Sequence, residues 1–207
     1  MLADLDHLVL AGPDLAAAVA WFAHLCGVTP APGGRHEGWG TANELVGLGG
    51  GAYLEIIGPD PGQSAPARPR LFAVDDLAAP RIVTWALRTS DIDAKVAAAR
   101  AAGYDPGDPL PMSRRRPDGR ALAWRLTEPR LDQGDGLVPF LIDWGDAPHP
   151  TSRGLPEARL LEVTARHPDP DSVAAALNAL GVDLEVRKGE LAALTAIVQG
   201  RGGAVPL

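Results

Sequence analysis

The stretch LDHLVLAGPDLAAAVAWFAHLCGV, Leu5–Val28, decides how the rest of the chain is read. Asp6 to Leu10 is an apolar, strand-like run with a histidine inside it. Period-two alternation puts Leu5, His7 and Val9 on one face. GPD then marks a turn, and Asp14 has the chemistry of a helix N-cap. Leu15, Val19, Phe22 and Cys26 recur at helical spacing, and Gly27 closes the run as a C-cap. After a Pro/Gly-rich link, TANELVGLG and AYLEIIG read as two strands around GGG, a hairpin signal. The order is strand, helix, strands.

The same order returns at RIVTWALRTSDIDAKVAAARAAG, where Asp91 falls on Asp14 and Val96 on Val19. ALAWRLTE and LVPFLIDWG supply its later strands. A shorter third copy begins at ARLLEVTARHPDPDSVAAALNALGV and continues through DLEVRKG and LTAIVQG. Repeats of roughly 75–80 residues are too long for a solenoid unit and suit duplicated small modules. The linkers GPDPGQSAPARPR and DAPHPTSRGLP separate the copies. The fold class expected is α+β: paired βαβββ modules over residues 1–60 and 80–147, set edge to edge as a curved, cup-like mixed sheet. A partial third module over 158–207 packs on them, since so few elements bury too little surface to stand alone.

Composition narrows the function. Of 207 residues, 46% are hydrophobic and 22% charged, as in ordinary globular proteins. The net charge of −7 argues against nucleic acid or an anionic membrane surface as partner, since both need a basic face. A single cysteine, Cys26, excludes a disulfide framework and a multi-cysteine zinc site, and its place beside Phe22 reads as core. MLADLDHLV lacks the basic start and apolar stretch of a signal peptide, and no apolar run reaches spanning length, so a cytoplasmic location is expected. GLGGGA lacks the lysine and following helix of a phosphate cradle and reads as a hairpin turn. No nucleotide cofactor is expected.

Alternation decides what faces the cup. His7 shares its face with Leu5 and Val9, and Glu55 shares its face with Tyr53 and Ile57. Ionisable groups on apolar strand faces are costly unless paired or ligated. Taken singly, each has an ordinary reading: His7 as a core histidine bonded to a carbonyl, Glu55 as its structural partner.

LDHLVLAGPDL followed by GGRHEGWGTANELVGLGGGAYLEIIG resembles glyoxalase-like proteins of the vicinal oxygen chelate superfamily, as does SRRRPDGRALAWRL in the second copy. The resemblance spans about Asp4 to Trp144. It implies a cup that often holds a divalent metal, with ligands from the first and last strand of each module. His7 and Glu55 match the two positions of the first module. The second departs from the pattern: registration on Asp14 and Asp91 places Thr84 opposite His7, and Phe140 or Ile142 opposite Glu55. Asp143 falls on the other strand face. Two protein ligands rarely make a tight site; His36 can add an imidazole from a loop.

Among the remaining residues, His24, His149 and His167 read as surface groups. Asn43 projects into the cup or ends a bend. Trp124 alternates with Leu122 and Leu126 and is core or pocket wall, and Trp39, Trp85 and Trp144 can add aromatic walls. Arg114, Arg115 and Arg116 form a loop that is either solvated or holds an anion, because guanidinium forks bind carboxylate or phosphate. The resemblance thus leads to a small-molecule enzyme of isomerase, lyase or dioxygenase type acting on a carbonyl-containing, anionic metabolite. His7 and Glu55 would bind metal, or Glu55 would act as the catalytic base; Asn43, Arg114, Arg115, Arg116 and Trp124 would bind substrate. The rival is a metal-free binding protein on the same fold. A homodimer is compatible with either.

Overall fold

The computed structural model describes residues 2–132 and 134–207. β1 (Leu5–Ala11), α1 (Leu15–Cys26), β2 (Ala31–His36), β3 (Thr41–Gly49) and β4 (Ala52–Pro59) come first. β5 (Arg81–Arg88), α2 (Ile92–Ala101), β6 (Pro109–Arg115), β7 (Ala121–Thr127) and β8 (Phe140–Asp143) repeat that order. Both helices start as the sequence predicts: the Asp14 and Asp91 carboxylates each accept a backbone N–H three residues on, at 3.0 Å. Such a cap contributes about 1 kcal/mol. Gly27 ends α1 in the left-handed conformation, φ 66°.

The two copies are wired alike. In space the strands run β1-β4-β3-β2 and β5-β8-β7-β6, with β1 parallel to β4 and β5 parallel to β8. β1 and β5 pair antiparallel along their length. On the far side β2 and β6 pair at one register position, Arg35 with Arg115. The expected cup is therefore a closed eight-stranded barrel, which leaves neither module with a free edge. Gly34, φ 151°, allows this closure: a Cβ there would lie 2.3 Å from the carbonyl oxygen of Arg115.

Alternation splits each strand between two cores. Leu8, Leu10, Leu54 and Ile56 point outward onto Phe22 and Cys26 of α1. Val9, Leu45, Tyr53 and Ile57 point inward with Met112, Leu122 and Trp124. Burial of a side chain such as Phe22 contributes about 1.5–3 kcal/mol. Two expectations change here. Leu5 belongs to the outer core, not to the face of His7. Trp85 is also in the outer core, donating to the Leu137 carbonyl at 2.8 Å, and is no wall of the cup.

The C-terminal part holds β9 (Arg159–His167), α3 (Pro170–Ala179), β10 (Val186–Lys188), β11 (Ala193–Gly200) and β12 (Gly203–Pro206). The order along the chain is again strand, helix, strands, but the sheet is β10-β9-β11-β12, so the first strand lies inside it rather than at one end. Leu160, Ala165, Leu177, Ala196 and Val198 share the outer core with Phe22 and Trp85. At this junction Gly200 comes so close to α1 that a Cβ would lie 2.0 Å from the Cys26 carbonyl oxygen.

Candidate active site

The site begins with an irregularity in β1. Leu5 pairs with Leu87 and His7 with Ala86, so Asp6 is an extra residue with no partner across the ladder. Such a bulge re-aims side chains. Here it brings the neighbouring Asp6 and His7 together, Oδ1 to Nδ1 at 2.7 Å, and both are buried. Asp6 Oδ2 accepts from Trp144 Nε1 at 3.0 Å and lies 3.1 Å from His149 Nε2. His149 Nδ1 accepts the Thr151 N–H, so its Nε2 carries the proton given to Asp6. Burial pushes the Asp6 carboxyl up, but the hydrogen bonds from His149 and His7, with their charges, outweigh it and hold it well below the usual carboxylate range. Asp6 is thus a fixed buried anion, and His7 Nδ1–H donates to it.

That tautomer leaves His7 Nε2 facing the barrel interior, where it lies 3.6 Å from Glu55 Oε2. The His7 ring is stacked on Tyr53, centroids 4.7 Å apart, and meets Phe140 edge-on at 5.6 Å. Burial, with the Asp6 and Glu55 charges, raises the Tyr53 hydroxyl well above its ordinary pKa, so Tyr53 stays neutral. Glu55 Oε1 accepts from Asn43 Nδ2, and Asn43 Oδ1 accepts from Arg114 at 3.2 Å. One amide thus joins the carboxylate to the guanidinium and is oriented by both. His36, at the end of β2, is buried with Nδ1 3.1 Å from Thr41 Oγ1 and Nε2 3.8 Å from Glu55 Oε1. Burial lowers its pKa to about 4, so it is neutral at pH 7.

Of these groups, His7, His36, Tyr53, Glu55, Arg114 and Phe140 line a cavity of about 30 Å³, enclosed further by Trp124, Trp144 and Phe72. That is room for roughly one or two waters. Size alone does not mark the site: a groove of about 460 Å³ between β5 and the C-terminal sheet is lined by Asp4, Trp85 and Leu160 and contains no imidazole.

The structure therefore brings together His7, Glu55, Asn43, Arg114 and Trp124. It separates Arg115 and Arg116 from them. The arginine run is not a loop: Arg114 and Arg115 end β6, and strand alternation sends them to opposite sides. Arg115 is exposed and forks onto Glu37 at 2.6 and 3.1 Å. Arg116 turns to Asp118 at 2.8 Å. His149, read from sequence as a surface group, is instead a half-buried partner of Asp6. His24 is exposed, His167 bonds Asp135, and Asp143 caps the start of α2 through the Ile92 N–H at 3.3 Å.

The donor set does not suit a divalent metal. Among the described residues no three His, Cys, Asp or Glu side chains are grouped to hold one. The second module supplies Thr84, and Phe140 or Ile142, at the positions that match His7 and Glu55. Glu55 is already bonded by Asn43, and the fixed cation Arg114 lies next in line. A metal on His7 and Glu55 would find one further donor nearby, the His36 imidazole, and beside it the opposing Arg114 cation. Among the described residues no helix is long and apolar enough to cross a membrane.

No match is found among curated proteins. Among solved structures, a hypothetical protein from Staphylococcus aureus is similar in fold: TM-score 0.68, 14% identity, 91% of this chain and 87% of that one covered. Methylmalonyl-CoA epimerase from Mycobacterium tuberculosis matches with TM-score 0.43 and 20% identity, over 69% of this chain and 88% of its own. A family model described as the glyoxalase-like domain matches residues 5–181. The doubled βαβββ barrel and this match agree, and the chain belongs to the glyoxalase-like domain family of the vicinal oxygen chelate superfamily.

Proposed function

We propose that the barrel interior is the active site of a small-molecule enzyme that moves a proton on a carbonyl compound. The observation that carries this reading is the line Asp6–His7–Glu55, which ends in a cavity. A carboxylate and a tautomer-fixed imidazole facing each other are the parts of a general acid–base pair. Glu55 Oε2 takes a proton from the carbon beside the substrate carbonyl; the C–H electron pair moves into an enolate. His7 Nε2 stands where it can accept that proton from Glu55 and return it. Asp6 holds His7 in the required tautomer. Asn43 fixes the other oxygen of Glu55, and Arg114 holds the anionic end of the substrate. Isomerase and lyase chemistry both begin with such a step. A cytoplasmic location belongs to the same reading.

The test is loss of α-proton signal by NMR in D₂O for a panel of carbonyl compounds. Exchange catalysed by the parent should slow about 10²–10⁴-fold in Glu55→Gln. The second reading, a binding protein without chemistry, is favoured by the aromatic walls Tyr53, Trp124, Phe140 and Trp144. Binding of a panel compound with no exchange would select it.

A further inference from the structure

Three buried donors have no acceptor among the described residues: Arg116 Nε, past the end of β6, and two in the barrel wall, Arg114 Nε and Trp124 Nε1. Arg114 is 3% exposed and Trp124 9%, and both line the cavity. They stand on adjacent antiparallel strands, where Arg114 pairs with Leu122 and Met112 with Trp124. That makes them diagonal neighbours on the inward face, a separation long side chains can bridge. Glu55 cannot serve both, since Oε1 is held by Asn43 and Oε2 faces His7. A guanidinium N–H and an indole N–H are donors only. Their natural complement is an acceptor with negative charge and two oxygens, a carboxylate.

The rest of the ligand is set by what adjoins the cavity. Leu71, Met112 and Leu126 line both the cavity and a second one of about 20 Å³, which adds Trp39, Leu110 and Pro129. This second cavity is largely apolar, and its charged lining residue is Glu128, which repels a second anionic group. Asn43 alone separates Glu55 from Arg114, and free space is about 30 Å³. The reacting carbon and the carboxylate must then be close neighbours in the ligand.

Resting on the reading of this cavity as a small-molecule site, we infer that it takes a 2-oxo acid with an apolar side chain. Its carboxylate is held by Arg114 Nε and Trp124 Nε1, and its side chain leaves between Leu71 and Met112. Accommodation displaces Leu71 and Phe72, which belong to the short 3-10 turn Leu71–Asp76, where Phe72 and Ala73 have φ of 59° and 49°.

The probes are 3-phenylpyruvate and 2-oxooctanoate, with pyruvate and the neutral ketone 4-phenyl-2-butanone as controls, titrated calorimetrically and by tryptophan fluorescence. Trp124 and Trp144 lie 5.1 Å apart, so an occupied cavity changes their emission. Both apolar acids should bind about tenfold or more tighter than either control. Trp124→Phe keeps the ring and deletes the N–H, and should weaken acid binding about five- to tenfold while leaving the ketone unchanged. Arg114→Met should weaken it further; because that variant can fail to fold, Trp124→Phe carries the test on its own. Equal binding of acid and ketone, an unchanged Trp124→Phe, or no binding of either acid overturns the inference. The two proposals fail separately. Trp124-dependent acid binding without α-proton exchange ends the catalytic reading only. Glu55-dependent exchange of the neutral ketone, with no preference for acids, ends the ligand assignment only.

Discussion

The two halves of the barrel have the same strand order and opposite chemistry. The first half buries Asp6, His7, His36, Asn43 and Glu55. Among the described residues of the second half, the buried polar and charged groups are Thr84, Arg114 and Thr127. The positions that match His7 and Glu55 by repeat are filled by Thr84 and by Phe140 or Ile142. The repeat keeps the frame and divides the chemistry: one copy buries imidazoles and carboxylates, the other a permanent cation and aromatic wall. A symmetric four-ligand centre is not available to such a pair.

The comparison can be broken most directly by exchanging its poles. Glu55→Gln should reduce α-proton exchange about 10²–10⁴-fold. Thr84→Val, at the matching place in the second half, should leave the rate within about twofold, because the swap preserves shape and Thr84 does not line the cavity. If both variants lose activity equally, the asymmetry is not functional.

Acid sensitivity should also belong to the first half. His36 titrates at about 4 when folded, against about 6.5 when unfolded. Between those values the unfolded chain binds the extra proton, so stability falls as pH drops through this window, by up to about 3 kcal/mol. Asp6, held below the usual carboxylate range, adds stability at higher pH that is lost in still stronger acid. Melting temperatures measured from pH 7.5 to 4 should fall steeply for the parent and less steeply for His36→Gln. The smallest effect sharpens the comparison within one strand. Arg115→Ala removes an exposed pair with Glu37 and should leave melting temperature and ligand binding unchanged by calorimetry, in contrast to Arg114 next to it.

Much of this was legible in the sequence because alternation and capping are local. Asp14 and Asp91 announce the repeat, and period two sends Glu55, Tyr53 and Trp124 inward, where the structure has them. What escaped depends on events that alternation cannot express. One extra residue in β1 turns Asp6 toward His7 and moves Leu5 to the outer core, and a bulge leaves no mark in a run of apolar residues. His149 follows a proline-rich link typical of surface turns, yet the chain returns there against β1, 143 positions from Asp6. Arg114 and Arg115 look equivalent as a charge run; only their place in β6 separates the buried one from the exposed one.

The closure of the barrel has a mechanical consequence. β1 and β5 form a long spine between the halves, while Arg35 and Arg115 form a clasp of one residue pair. His36 and Arg114 are the chain neighbours of that clasp, whereas His7 sits on the spine. A single-pair clasp should open before the spine does, which would separate His36 from Arg114 and leave Asp6 beside His7. Amide hydrogens at the clasp should exchange with solvent well before those of Leu8 and Trp85, which are paired at the spine.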